Sequence, residues 1–189
     1  VYVTASPEIK VRDNMHCVLI AKNYNGFKEL NKLISQSFNR NDNHFYFTPR
    51  IYLDELFNTS ENIIITSACI AGIVSKPNDE LRLKILKFMS QNSDRCFLEI
   101  QHHKDQSQCK YNQKLVEYSN IYNIPLIAGT DTHALNYTHV KGRHILQTAK
   151  NVFFDGEENW DLTFKSYDEL VQAYKEQNSI PTEYYMTAI

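Results

Sequence analysis

Four side chains able to do chemistry stand at the ends of apolar runs in this 189-residue sequence. The clearest place is Gly129-Thr130-Asp131-Thr132-His133-Ala134, which closes Ile124-Pro125-Leu126-Ile127-Ala128. That apolar run reads as a short buried strand. Residues two apart on extended backbone project to the same side. Asp131 and His133 would then present a carboxylate and an imidazole together, as two metal ligands or as a base and its orienting partner. The plainer alternative is that they cap the segment that follows. Cys69 follows Ile63-Ile64-Ile65-Thr66, and His103 follows Cys96 to Ile100. Adjacent residues face opposite ways, so at most one of His102 and His103 is expected to point inward; strand parity places His103 with Glu99 and Gln101. Taken alone, Cys69 reads as readily as a small buried hydrophobe. His16 precedes Cys17-Val18-Leu19-Ile20 on the entry side of a strand, so its spacing argues for an ordinary core or surface histidine. His44, His139 and His144 read as loop or helix-face residues.

Imidazole, carboxylate and thiolate together suit zinc or another transition metal better than magnesium or calcium. Only five glycines occur, and no phosphate-cradling glycine loop and no GxSxG elbow is present. An enzymatic reading is thereby turned toward metal-assisted chemistry.

The elements that must position these residues follow from periodicity. Strands are expected at Val1 to Thr4, Cys17 to Ala21, Ile63 to Thr66, Cys96 to Ile100 and Pro125 to Ala128. Between them, Phe27, Leu30, Leu33, Ile34 and Phe38 recur at helical spacing within Gly26 to Phe38. A helix start at Pro77-Asn78-Asp79-Glu80 leads into Leu81, Leu83, Ile85, Leu86 and Met89, and Gln108 to Asn123 ends before Pro125. Ser166 followed by Glu169 is a capping pattern for a helix running to Gln177. Strands alternating with helices imply βαβ units and a mainly parallel sheet or barrel, whose strand ends gather on one face. Two loops stand out: Asn39 to Pro49, polar and aromatic, and Asn151 to Asp161, with Asp155, Glu157, Glu158 and Asp161.

Composition sets limits. Apolar content of 42% and a net charge of -2 are those of an ordinary globular α/β domain. They exclude a strongly basic nucleic-acid-binding surface as the main theme. No apolar stretch reaches the roughly 20 residues that span a bilayer, so no membrane is expected. The four cysteines form no CxxC pair, which points to a reducing, cytoplasmic setting. The chain opens on Val1 within an alternating Val-Tyr-Val-Thr and stops on Ala188-Ile189, the pattern expected of a piece of a longer protein.

Several phrases occur in order: Met15-His16-Cys17-Val18-Leu19-Ile20-Ala21-Lys22-Asn23, Gly26-Phe27-Lys28-Glu29-Leu30, Thr66-Ser67-Ala68-Cys69-Ile70-Ala71-Gly72, Phe97-Leu98-Glu99-Ile100-Gln101-His102-His103 and Gly129-Thr130-Asp131-Thr132-His133. Together they resemble the polymerase-and-histidinol-phosphatase (PHP) domain of bacterial replicative DNA polymerase III alpha subunits. Thr163-Phe164-Lys165-Ser166-Tyr167-Asp168-Glu169-Leu170 and Met186-Thr187-Ala188-Ile189 resemble the passage from that domain toward the polymerase core.

The resemblance implies an α/β fold, a distorted (β/α)7 barrel of PHP type, incomplete at its N-terminal strand or strands. It implies a barrel region over 1–160 and a helical segment over 161–189 leading toward the polymerase. It places metal ligands on His16, Cys69, Asp131 and His133, which overrides the spacing-based reading of His16 and Cys69. His103 would act on substrate beside the cluster, with Asp131 and His133 in the catalytic set. The implied cofactors are zinc or manganese, with magnesium for the parent polymerase; the implied partners are DNA and replisome subunits. The family's opening His-x-His, its next histidine and its glutamate are absent, as expected if the chain starts just after them. Losing a barrel strand would expose a sheet edge and invite self-association. Two activities follow from the resemblance: a phosphoesterase (3′-5′ exonuclease or pyrophosphatase), or an inert scaffold that binds a proofreading or other replisome subunit. A free-standing small-molecule phosphatase is disfavoured by the polymerase-like C-terminal segment.

Overall fold

The structure, a computed structural model, describes residues 1–5, 11–153 and 160–189. In chain order the elements are β1 (Tyr2–Thr4), β2 (Met15–His16), β3 (Val18–Ala21), α1 (Tyr24–Ser37), β4 (Arg50–Tyr52), α2 (Leu53–Phe57), β5 (Ile63–Thr66), α3 (Asp79–Gln91) and β6 (Cys96–Gln101). There follow α4 (Gln106–Tyr122), β7 (Leu126–Gly129), α5 (Tyr137–Lys150), α6 (Tyr167–Gln177) and α7 (Thr182–Ala188). The chain divides into two compact units, Val1–Glu99 with Tyr118–Pro125, and Ile100–Glu117 with Leu126–Ile189. The acidic residues Asp155, Glu157 and Glu158 lie outside the described residues.

In the first unit, β1 pairs antiparallel with β2 and parallel with β4, which brings the buried Val3, Met15 and Ile51 together. β5 pairs antiparallel with β3, Val18 opposite Thr66 and Ala21 opposite Ile63, and parallel with β6, Ile65 opposite Cys96. The run Ile63-Ile64-Ile65 is stiff at χ1 and suits an extended, half-buried ribbon; Ile63 and Ile65 are fully buried. In β6, Cys96, Leu98 and Ile100 are buried while Phe97 and Glu99 are only partly so, the period of two expected of a strand. Helix α1 is capped by Asn23, whose side chain accepts from the Asn25 and Gly26 N–H groups. Helix α3, capped by Asn78, inserts Ile85, Leu86 and Met89 into the core.

In the second unit, a buried amide network holds the end of β6. Asn112 Nδ2 donates to the Gln101 carbonyl (2.7 Å) and to Gln177 Oε1 (3.0 Å), and Gln177 Nε2 donates to the carbonyls of Gln101 (2.9 Å) and His103 (2.5 Å). The Tyr174 hydroxyl donates to the Ile100 carbonyl at 2.7 Å, and its ring stacks on Tyr185 of α7. Ser166 and Glu169 form the expected capping box of α6. Helix α5 buries none of its residues.

The fold is mixed α/β. The expected barrel is not formed by the described residues: the strands of the first unit fall into two open sheets. Nor is the pairing mainly parallel, because β2 and β3 each return antiparallel to a neighbour. Among the described residues, no helix is long and apolar enough to cross a membrane.

Candidate metal centre

In the first unit, a short turn after β5 brings together two residues 53 positions apart: Cys69 Sγ lies 3.4 Å from His16 Nδ1. The turn is fixed at several points. Ser67 N–H donates to the Phe97 carbonyl (3.0 Å), and Thr66 Oγ1 accepts from the Ala68 N–H (3.2 Å) while donating to Glu99 Oε2 (2.6 Å). Ala68 sits in the left-handed region at φ 55, a conformation that costs an alanine roughly 1 kcal/mol and that tends to persist at functional sites. The turn then docks on β2, with His16 N–H donating to the Ala71 carbonyl (2.9 Å) and Ile73 N–H donating to the His16 carbonyl (3.0 Å). A Cβ on Gly72 would lie 2.0 Å from the Ser67 carbonyl oxygen and 2.7 Å from that of Cys69, so only glycine fits here.

His16 and Cys69 are half-buried. Cys17 and Cys96, by contrast, are buried, and burial pushes their thiols up to about 12 and about 11, which leaves them protonated packing residues. Cys69 is the half-buried thiol of this unit, and its sulfur is the one that meets an imidazole. An ion with bonds of about 2.3 Å to sulfur and about 2.1 Å to nitrogen sets tetrahedral S and N ligands about 3.6 Å apart. The observed separation fits.

In the second unit, Asp131 and His133 lie beyond the end of β7. Asp131 has φ 46 and is left-handed, so the pair is not on extended backbone as the alternation argument expects. The turn instead lets His133 Nδ1 meet the Asp131 carbonyl at 2.8 Å, with the Asp131 carboxylate 3.8 Å away. A carbonyl only accepts, so Nδ1 carries the proton, and in the neutral ring Nε2 then holds the lone pair. That tautomer leaves Nε2 free to face a metal, and the residue's own backbone turn sets it. Asp131 Oδ2 also lies 3.6 Å from His103 Nε2.

His102 and His103 are both buried, 2% and 3% exposed, contrary to the expectation that only one would turn inward. β6 ends at Gln101, so strand alternation no longer applies, and the two rings stand side by side with centroids 4.9 Å apart. Trp160 stacks on His103 at 5.8 Å, a contact with no signal in the sequence. Burial, then the neighbouring His103 and Lys165, push the His102 imidazole down to about 4. Lys165 is held by Asp161 at 2.6 Å. Among the described residues, no group of three or more His, Cys, Asp and Glu side chains is drawn together tightly enough to hold an ion.

The profile of the PHP domain family matches residues 1–103, more than half of the chain. The chain belongs to the PHP domain family. His16, Cys69 and His103 fall inside the matched stretch; Asp131 and His133 lie beyond it. The DNA polymerase III subunit alpha of Borreliella burgdorferi is 35% identical over 136 residues, covering 69% of this chain and 12% of that protein. That of Aquifex aeolicus is 31% identical over 138 residues, covering 70% and 12%. The PolC-type DNA polymerase III of Thermotoga maritima is 40% identical over a shorter stretch of 57 residues, 30% of this chain and 4% of that protein. The likeness to these alpha subunits extends over most of this PHP chain, which spans 12% of the length of the first two relatives.

Proposed function

We propose that this chain is the PHP portion of a replicative DNA polymerase alpha subunit and that it serves metal-dependent phosphoester hydrolysis, as a 3′-5′ exonuclease or a pyrophosphatase. The observation that carries the reading is the His16–Cys69 pair, two donors from distant parts of the chain set at ligand spacing by a glycine-dependent turn. His16, Cys69, Asp131 and His133 are the proposed ligands; zinc suits this mixture of thiolate, imidazole and carboxylate, and manganese is the other ion that the family resemblance implies. A bound divalent ion supplies Lewis acidity toward water and the scissile phosphate. The chain's own part is to orient donors: the Asp131 carbonyl fixes the His133 tautomer, and His103, wedged between Asp131 and Trp160, is positioned to steady substrate or leaving group. Residues 161–189 lead toward the polymerase core, whose synthesis on DNA would use magnesium. DNA and other replisome subunits are the proposed partners, the cytoplasm the proposed setting, and self-association a proposed property of this chain.

The test is cobalt titration of the chain as it stands, followed in the near-ultraviolet, with single-stranded DNA digestion measured on the longer polypeptide. One equivalent of cobalt with thiolate-to-metal absorption lost in Cys69→Ser, and metal-dependent digestion lost in Asp131→Ala, is the expected result. The chain alone should digest little. A chain and longer polypeptide that fold well yet bind no metal would overturn the reading. They would favour an inert scaffold for a proofreading or other replisome subunit.

A further inference from the structure

His44, on the segment between α1 and β4, is 3% exposed and stands between two carboxylates. Its Nδ1 lies 2.7 Å from Asp42 Oδ1, and its Nε2 lies 3.0 Å from both oxygens of Glu55 on α2. An ionised carboxylate only accepts, and a neutral imidazole has a single N–H, so both contacts are satisfied only by the doubly protonated ring. Glu55 Oε2 also accepts the Tyr52 N–H at 2.7 Å, as part of the α2 capping box. Burial alone would raise Asp42, but hydrogen bonds from the His44 ring and backbone outweigh it and hold the carboxyl below its ordinary value.

The surroundings bind the segment to this one ring. Tyr52, from β4, packs on His44 with centroids 4.3 Å apart and donates its hydroxyl to the Asp42 carbonyl at 2.5 Å. Asp42 Oδ2 accepts from Asn39 Nδ2 at 2.7 Å. The buried Arg50 guanidinium donates to the neighbouring Asn43 carbonyl (3.2 Å) and lies 3.9 Å from Asp13. The titratable and charged groups around the ring are thus Asp42, Glu55 and Tyr52, with Arg50 and Asp13 one step removed.

We infer that His44 is a proton-dependent latch: the imidazolium clips residues 39–49 onto α2, and loss of one proton turns one of its two hydrogen bonds into a contact between two acceptors and releases the segment. A charge-assisted hydrogen bond is roughly twice as strong as a neutral one, so the release is large on the scale of local opening. The far end of the segment carries Thr48, whose Oγ1 accepts from Asn14 Nδ2 at 2.9 Å. Asn14 immediately precedes β2, so the latch reaches the strand that carries His16.

The test is proton NMR of the His44 ring together with amide exchange from pH 5 to pH 9. The reporters are the Phe45 and Tyr46 amides, bonded to the carbonyls of Asn39 and Thr48. Their protection, corrected for the intrinsic exchange rate, should fall by about tenfold or more as the ring loses its proton, with a shared midpoint. Amides of β5 should not follow. In His44→Gln the two reporters should be weakly protected at every pH. Reporter protection that stays level through the ring's titration, or that keeps its pH dependence in His44→Gln, overturns the latch; the wild-type titration decides the matter even where the variant does not fold.

Discussion

Replacing Gly72 by alanine isolates the turn that makes the His16–Cys69 pair. The added Cβ would lie 2.0 Å from the Ser67 carbonyl oxygen and 2.7 Å from the Cys69 carbonyl oxygen. Both are backbone atoms, and Ser67 is fully buried, so no side chain can swing aside. Separation must grow by more than an ångström on the Ser67 side to reach ordinary contact, which strains the left-handed Ala68 or breaks the bonds from the turn to β2. Overpacking with no soft neighbour costs about 3 kcal/mol or more, which lowers Tm by about 10 °C in a chain of this size. The pair should separate with it, because Cys69 and the carbonyl of Ala71 that holds His16 lie on the displaced segment. Urea denaturation gives the stability and cobalt titration gives the site. A Gly72→Ala protein within about 0.5 kcal/mol of wild type that keeps its thiolate–cobalt absorption would refute the claim that this glycine sets the geometry.

Gly142, in the interior of α5, has nothing within 4 Å of its missing Cβ, so Gly142→Ala should stabilise by about 0.5–1 kcal/mol, the opposite sign, measured in the same denaturation series. His102 stays neutral in the fold down to about 4 but is protonated below about 6.5 when unfolded, so the unfolded state binds more protons between those values. Stability should therefore drop by up to about 3 kcal/mol as pH falls from 6.5 to 4. His102→Phe, which removes two buried nitrogens that have no hydrogen-bond partner among the described residues, should flatten that slope; an unchanged slope would assign the titration elsewhere. Asp161 acts with the same sign in a lower pH window. Burial alone would raise it, but bonds from Lys165 and Thr163 hold it at about 2, so its contribution is complete above pH 4 and lost as pH falls toward 2. Asp161→Asn should cost about 1 kcal/mol at pH 7, discounted for its partial exposure, and only a small part of that at pH 2.

Elements with a strong internal period were legible in the sequence. The apolar run of β5, the alternation of β6 and the three-and-four spacing of α1 all lie within two residues of where periodicity puts them. β2, β4 and α2 were not anticipated, because elements of two to five residues have no period to read and owe their existence to partners such as Val3 and Ile51. The chemistry-bearing residues stood out by type and by position at strand ends. Their geometry did not, because it depends on left-handed backbone at Ala68 and Asp131, which neither residue type demands. His44 looked like any loop histidine. Only tertiary placement of Glu55 sets this buried ring between two carboxylates, and only the end of β6 at Gln101 lets His102 and His103 turn in together.

Helix α5 draws little from packing, since none of its fourteen residues is buried and only Val140, Arg143 and Gln147 are half-buried. Its stability therefore rests on the Asn136 and Asn151 caps and on intrinsic propensity, which for an isolated helix of this length is close to zero net free energy. It should be the first part of its unit to open, on a timescale set by helix–coil motion and independent of global unfolding. Lys141, Arg143 and Lys150 then become trypsin sites in an otherwise folded protein. The rate at which they are cut is a direct gauge of anything that comes to cover this helix.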